Sequence, residues 1–508
     1  MIPAPAHSAT IPQPADDSRA ATPPSLTAIL RSLSWVGAGH VVGQTFWFGS
    51  LLVLAVLLSP RAFGTIAVGL IMVTLATRLV EAGTRGSVIV APHLTRGQVL
   101  GSWAWNVASG LALGGLIAIL AGPVTRALVP GGDPAVLRAL ALSVVLYAPA
   151  IVPLALLEKR LRFRRRASVQ ATATIAASIA AVLAAAAGAG VWALVVRQVM
   201  LQGLLALGSW IAAARLLPQA SPESRGWERL RRHGATGFML FTLTDFVVFN
   251  ADYAIVAHLT SPRELGLYSL AFTLAFAPVT QFSSQLGSVL FPAAAASDAD
   301  TRARRTLGGV VVAVIVLAPV IPVTIALAPV LIPAVLGARW AGMVVPFQIL
   351  IVVGIAHAVV NVIGDALSGA GKIGFRARVN IVWTAAMVGG LAVLVRVAGI
   401  NGAALAHLLV YAPVAIVYGW VGIRLLGSTP RCLLLRLRPV LGVTLDQCAA
   451  TAALVVALDA TGASPMVART VACAAGLGTY VTLLAATHRP RLGLLMGRVR
   501  ATARPAAD

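Results

Sequence analysis

Apolar stretches of about twenty residues follow one another along most of this chain, separated by short segments rich in Gly, Pro and Arg. A helix of about 20 apolar residues spans the hydrocarbon layer of a bilayer. Charge sharpens the constraint: only 11% of the 508 residues are charged and 58% are hydrophobic, whereas a soluble domain carries about 25% charged residues. A soluble chain of this length would need roughly three domains, each with its own charged surface. The charges are too few for that, which excludes an ordinary soluble enzyme, a nucleic-acid-binding module and a disordered scaffold. Lipid in place of water resolves the deficit. The chain is expected to be an all-α polytopic membrane protein.

Hydropathy and turn residues place spans at 33–57, 63–83, 99–121, 136–156, 168–187 and 191–213, then at 237–258, 264–292, 307–333, 343–366, 378–398 and 400–423. Two more follow at 439–459 and 466–487, giving about fourteen transmembrane helices. With the N-terminus inside, 30 of the 39 Lys and Arg fall in or beside inside segments, as cytoplasmic loops require. The run Lys159, Arg160, Arg162, Arg164, Arg165, Arg166 and the five arginines from Arg215 to Arg232 are the main clusters. The net charge of +23 is thus mainly an orientation signal, with attraction to anionic headgroups as a second role of the basic run. Both termini are expected in the cytoplasm, with residues 1–26 a disordered tail and 489–508 a basic one. The cysteines Cys432, Cys448 and Cys473 have neither metal-ligand spacing nor a disulfide framework.

An internal repeat divides the spans. Ser59-Pro60-Arg61 and Gly64 recur as Ser261-Pro262-Arg263 and Gly266, all 202 residues later. Phe163-Arg164-Arg165-Arg166 answers Phe375-Arg376-Ala377-Arg378, and Gly188, Ala193 and Leu194 answer Gly399, Ala404 and Leu405. Both copies start on the same side, so the expected architecture is two six-helix lobes related by a pseudo-two-fold axis along the membrane normal. The lobes are expected at 27–214 and 237–424, joined by a basic cytoplasmic linker at 215–236, with an extra helix pair at 425–488. Two lobes around a central cavity suit alternating access. The Ala-rich stretch from Ala181 to Gly190 fits close helix packing.

Polar side chains inside spans are costly and mark candidate sites. His40 and Gln44 lie one turn apart in the first span, and Arg78 and Glu81 share a face of the second. Arg197 sits with Gln198 and Gln202 in the sixth, Gln281 lies in the eighth, and His357, Asn361 and Asp365 form a stripe in the tenth. Asp245 and Asp252 lie on one face of the seventh span, about 10 Å apart along the axis. Each has a structural alternative: Arg78 could snorkel to the interface with Glu81 as its partner, His40 could be a packing residue, and Asp365 is placed for a solvated role at the inner end. Asp252 could make a hydrogen bond to a neighbouring helix. No Gly-x-x-x-x-Gly-Lys-Ser/Thr motif and no large outer loop is present, so neither a single-chain pump nor a membrane glycosyltransferase is expected.

Asn250-x-Asp252, Leu265-Gly266-x-Tyr268 and Phe291-Pro292 resemble the second-lobe signature of the polysaccharide flippases, within the multidrug/oligosaccharidyl-lipid/polysaccharide exporter superfamily. Leu161-Arg162-Phe163-Arg164 with Gly190-Val191-Trp192-Ala193-Leu194 resembles the same family's first lobe. The resemblance implies movement of undecaprenyl-diphosphate-linked oligosaccharide from the inner to the outer leaflet of the bacterial plasma membrane, for cell-surface polysaccharide biosynthesis. It implies no enzyme activity and no cofactor. The partners expected are the lipid-linked oligosaccharide, a coupling proton or sodium ion, and other polysaccharide-assembly membrane proteins. Candidate substrate-binding residues are Arg78, Arg197, His40, Gln44, Asn250, Gln281, His357 and Asn361, and candidate ion-coupling residues are Asp245 and Asp252. A peptidoglycan-precursor flippase and a drug/cation antiporter are the alternatives.

Overall fold

The computed structural model describes residues 43–502 apart from 82, 83, 92, 93, 219–245, 247–249 and 296. The tail 1–26, most of the 215–236 linker, His40 and Asp245 therefore lie outside the described residues, as do the side chains of the C-terminal tail. No β-strand occurs among the described residues. Among the described residues, eleven helical segments are long and apolar enough to cross a membrane, and a shorter apolar helix precedes them.

The first lobe contains α1 (Gly43–Leu57), α2 (Pro60–Glu81), the short α3 (Arg85–Val90) and α4 (Arg96–Leu128). It continues through α5 (Pro134–Tyr147), α6 (Ile151–Lys159), α7 (Phe163–Ala186) and α8 (Val191–Ala213). The second contains α9 (250–259), α10 (Pro262–Ala295), α11 (Ala299–Leu317) and α12 (Val320–Leu336). After these come α13 (Val344–Gly369) and α14 (Ile373–Val417). The C-terminal pair is α15 (Pro430–Ala460) and α16 (Pro465–Thr502). Local chemistry sets the helix starts. Thr95 and Gln98 form a reciprocal capping box at 3.2 and 3.1 Å. Asp133 accepts from the Ala135 amide at 2.8 Å, with Pro134 supplying a preset φ at the first helical position.

The span expected at 307–333 is drawn out into α11 and α12, which run on from each other past Pro319. The spans expected at 378–398 and 400–423 are the two arms of one hairpin, reversing at Ala398 and Gly399. Gly399 adopts φ 55°, ψ −135°, and Gly190 before α8 adopts φ 56°, ψ −131°. Positive φ of this kind strains any side-chain-bearing residue. The backbone therefore pairs Gly399 with Gly190, two residues from the Gly188 that sequence spacing suggests.

The surface is what a lipid solvent requires: Ile119, Ile211 and Val397 are 76%, 71% and 78% exposed. Within the first lobe, Ala173, Ala177, Ala181 and Ala185 recur every fourth residue on α7 and are all buried. Small residues at this spacing let helix backbones approach closely. The C-terminal pair docks on the second lobe. Gln447 donates to the Pro319 carbonyl at 3.1 Å, and Tyr480 donates to the Ile315 carbonyl at 2.8 Å.

The two lobes meet where the repeat begins. A methyl group on Gly64 of α2 would collide with the backbone carbonyl of Pro262, and one on Gly266 of α10 would collide with that of Pro60. The four residues separated by 202 in sequence thus face each other reciprocally across the pseudo-two-fold axis. Trp340 reinforces the same end. It is fully buried, donates to the Ala55 carbonyl at 2.8 Å, and packs edge-on to Phe63 at 5.3 Å. Arg339 donates beside it to the Val56 carbonyl.

Backbone against backbone cannot yield as a side chain can. Gly64→Ala and Gly266→Ala are each expected to weaken this crossing by about 1–3 kcal/mol. The double variant should cost less than the sum, because both methyl groups force apart the same contact. Gly115→Ala, with open space at the methyl position, is the control. Thermal unfolding in detergent of the four proteins checks the order, and additive losses would show that the two glycines act separately.

Candidate functional site

Beneath the crossing lies a cavity of about 490 Å³, bounded by α1, α2 and α8 on one side and α9 and α10 on the other. Its walls are mainly apolar and aromatic, with Thr74, Gln198, Asn250 and Thr273 as polar points. Among the described residues, Arg197 is the one cation lining it. The guanidinium lies 5.4 Å from the centroid of Trp47, within cation–π range. Its Nη2 is buried and has no hydrogen-bond partner among the described residues. A guanidinium held in this way offers two parallel N–H groups to a phosphate or carboxylate.

A second, more apolar space of about 780 Å³ lies between α1 and α10, and Trp47 borders both. Gln44 donates to Gln281 there at 3.2 Å, joining two candidates 237 residues apart. The fold thus brings together Arg197 and Asn250 in the central cavity, and Gln44 and Gln281 in the adjoining space.

Other candidates lie elsewhere. Arg78 is exposed near the end of α2 and lines neither space. Glu81, expected as its partner, instead binds Arg85 at 2.5 Å. Arg85 also reaches Glu158 at 2.6 Å, and Arg166 pairs with Glu158 as well. Lys159 donates to the Ile89 and Ala91 carbonyls at the end of α3. Part of the basic run is therefore structural, holding α3, α6 and α7 together. The second lobe has a counterpart, in which Arg376 of α14 binds Asp365 of α13 at 3.3 Å. Asn361 is half-buried on α13, outside both spaces.

Asp252 and His357 belong to a buried cluster inside the second lobe. Tyr268 donates to Asp252 Oδ2 at 2.8 Å, and His407 Nε2 lies 3.3 Å from the same oxygen. His357 Nδ1 is 2.7 Å from the Tyr411 hydroxyl, and Phe276 sits between the two imidazoles. His407, Tyr411 and Trp47 were not among the sequence candidates. His407 had a readable signal, as an ionisable residue within an apolar span. Trp47 had none, because an aromatic side chain at helical spacing reads as core.

A sequence profile of the polysaccharide biosynthesis protein family matches residues 53–345. The succinoglycan biosynthesis transport protein ExoT of Rhizobium meliloti is 25% identical over 62% of this chain, a match spanning 63% of the relative's own length, just under two thirds. The lipopolysaccharide biosynthesis protein WzxC of Escherichia coli is 23% identical over 79% of this chain and 82% of its own. Among solved structures, the lipid II flippase MurJ in an inward closed conformation superposes with a TM-score of 0.69 at 11% identity, covering 91% of this chain and 100% of that one. An inward-facing multidrug resistance MATE family transporter of the MOP superfamily gives a TM-score of 0.57 at 14% identity, over 77% and 95%. At these identities the structural likenesses establish the fold.

The cavity makes a direct expectation. In a cysteine-free background, Thr74→Cys should react with a water-soluble thiol reagent, and Ser143→Cys, fully buried within the first lobe, should not. Equal labelling of both positions, followed by mass spectrometry, would show that the space is not a water-accessible cavity.

Proposed function

The chain belongs to the polysaccharide biosynthesis protein family, and from that membership we propose that it is a flippase for an undecaprenyl-diphosphate-linked oligosaccharide. The headgroup moves from the inner to the outer leaflet of the bacterial plasma membrane by alternating access, for cell-surface polysaccharide biosynthesis. Both termini lie in the cytoplasm. The lobes occupy 27–214 and 237–424, joined by the linker at 215–236.

The observation that carries this reading is Arg197. A lone buried guanidinium is among the most expensive groups to keep inside a membrane. It is retained here between two lobes, lining the cavity, with one guanidinium nitrogen that no described residue satisfies. A diphosphate supplies the missing charge and accepts bidentate hydrogen bonds that a neutral headgroup cannot. Gln198, Asn250 and Thr273 supply hydrogen bonds for sugar hydroxyls. The apolar space beside Trp47 lets the polyprenyl chain remain in the bilayer while the head occupies the cavity. Closure at the Gly64–Gly266 end means that the cavity is reached from the opposite end, where the basic loops gather. A second-lobe carboxylate, Asp252 or Asp245, couples this cycle to an ion gradient.

Arg197→Ala should lower flipping of lipid-linked oligosaccharide in proteoliposomes by at least about tenfold, the equivalent of one lost charge-assisted hydrogen bond. Arg197→Lys should retain part of the activity, since charge persists without the fork. Undiminished flipping by Arg197→Ala would remove the guanidinium from the site.

A further inference from the structure

Asp252 is 1% exposed and His407 is 5% exposed, and they face each other across α9 and the second arm of α14. Phe272 of α10 packs against the His407 ring at 5.6 Å. Tyr253 adjoins on α9, Tyr268 donates from α10, Tyr411 lies one turn along α14, and His357 approaches from α13 behind Phe276. Arg376 is engaged elsewhere, with Asp365 and Ser368. No Lys or Arg among the described residues bonds to Asp252. Its Oδ1 is buried without a partner among the described residues, whereas Oδ2 takes the tyrosine hydrogen bond and faces the imidazole.

Buried charge sets the proton count. A carboxylate with a neutral imidazole would leave one uncompensated negative charge in a low-dielectric interior, and a carboxylic acid with an imidazolium would leave one positive charge. Only the form with one proton is neutral overall, whether that proton sits on an Asp252 oxygen or on His407 Nε2. We propose that the Asp252–His407 pair, oriented by Tyr268, is the proton-coupling site of this transporter, holding one proton in the conformation closed at the Pro60–Pro262 crossing. When the lobes part and water reaches the pair, the proton leaves to water, and a carboxylate and a neutral imidazole remain, now hydrated. No electrons move and no other reactant is needed. The imidazole distinguishes this site from one built for sodium, which takes oxygen ligands as other hard cations do. Both contacts to Asp252, from a ring nitrogen and from a phenol hydrogen, fall on Oδ2.

The inference rests on the alternating-access reading, and its test separates the two. Spin labels at Arg61→Cys and Arg263→Cys, both exposed beside the crossing, report its opening in the full-length protein with the native cysteines replaced. The sign follows from the charge argument. Protonation favours the closed form, so the short-distance population should fall as pH rises from about 5 to 9. The closed-to-open ratio should change by at most about tenfold per pH unit, the limit for one linked proton. Sodium replacing potassium at fixed pH should change nothing. His407→Gln and Asp252→Asn should each flatten the pH response, and either one, if folded, suffices. A pH-independent wild type, a sodium-driven shift, or an unaltered slope in either folded variant would overturn the proposal. Flipping measured separately decides the other question: a pH-gated crossing in a protein that does not move lipid-linked oligosaccharide would leave this site standing and remove the substrate.

Discussion

The crossing of α2 and α10 is made of backbone. Gly64 meets the Pro262 carbonyl, Gly266 meets the Pro60 carbonyl, and no side chain intervenes on either helix. Helices in a membrane gain little from the hydrophobic effect, because lipid tails are as apolar as leucine, so close van der Waals contact between small residues must hold them. The prolines serve the same contact. As the first residues of their helices they need no amide hydrogen bond and so fix where each helix starts beside the opposing glycine, whose missing side chain admits the carbonyl. An all-backbone contact has almost no intermediate states: it is formed at full proximity or lost. That property suits the alternating access proposed above, and Trp340 on the Ala55 carbonyl gives the crossing a defined registry.

Below the seam, electrostatics takes over from packing. The two lobes divide the ionisable groups in different ways. At the basic end each lobe ties neighbouring helices with ion pairs, Glu158 with Arg85 and Arg166, and Asp365 with Arg376. These are satisfied within the lobe and move with it. Arg197 is the contrasting case, stacked on an indole and left with donor capacity. A satisfied pair has nothing to offer a ligand, and an unsatisfied cation gains most from one, which is why the proposed substrate site centres on Arg197.

The helical class, the two-lobed plan and most spans were legible in the sequence because hydrophobic periodicity and length are local properties. The 202-residue repeat was legible too, since Ser-Pro-Arg and a following Gly survive as residues. What the repeat meant was not, because reciprocity across an axis is a property of two helices. Arg197 could be read as a candidate from its burial cost and its glutamine neighbours. Arg78 looked equally good on the same grounds, yet three dimensions leave it exposed and give Glu81 to Arg85. Sequence spacing sees partners on one helix, whereas Arg85–Glu158 joins residues 73 apart and Asp252–His407 joins residues 155 apart. For the same reason the partner of His407 is not legible: the residue is an ionisable group in an apolar span, but nothing within α14 indicates that it faces a carboxylate on α9.

One helix links these features. Along α10, Gly266 lies at the seam, and Tyr268, two residues on, holds Asp252. Phe272 and Thr273 face the cavity of Arg197, and Gln281 reaches Gln44 beside the apolar space. The stretch of α10 from Gly266 to Thr273 cannot change its angle without moving Tyr268 and the cavity wall together, whereas Pro278 interrupts the helix's hydrogen bonding before the Gln281 contact. Breaking the seam displaces the tyrosine that orients the buried carboxylate and widens the space around the guanidinium in the same motion. On the reading proposed above, coupling between a proton and an anionic headgroup needs no chain of intermediates through the core. It follows from both sites sharing one element with two positions, each site biasing the choice by the charge state it prefers.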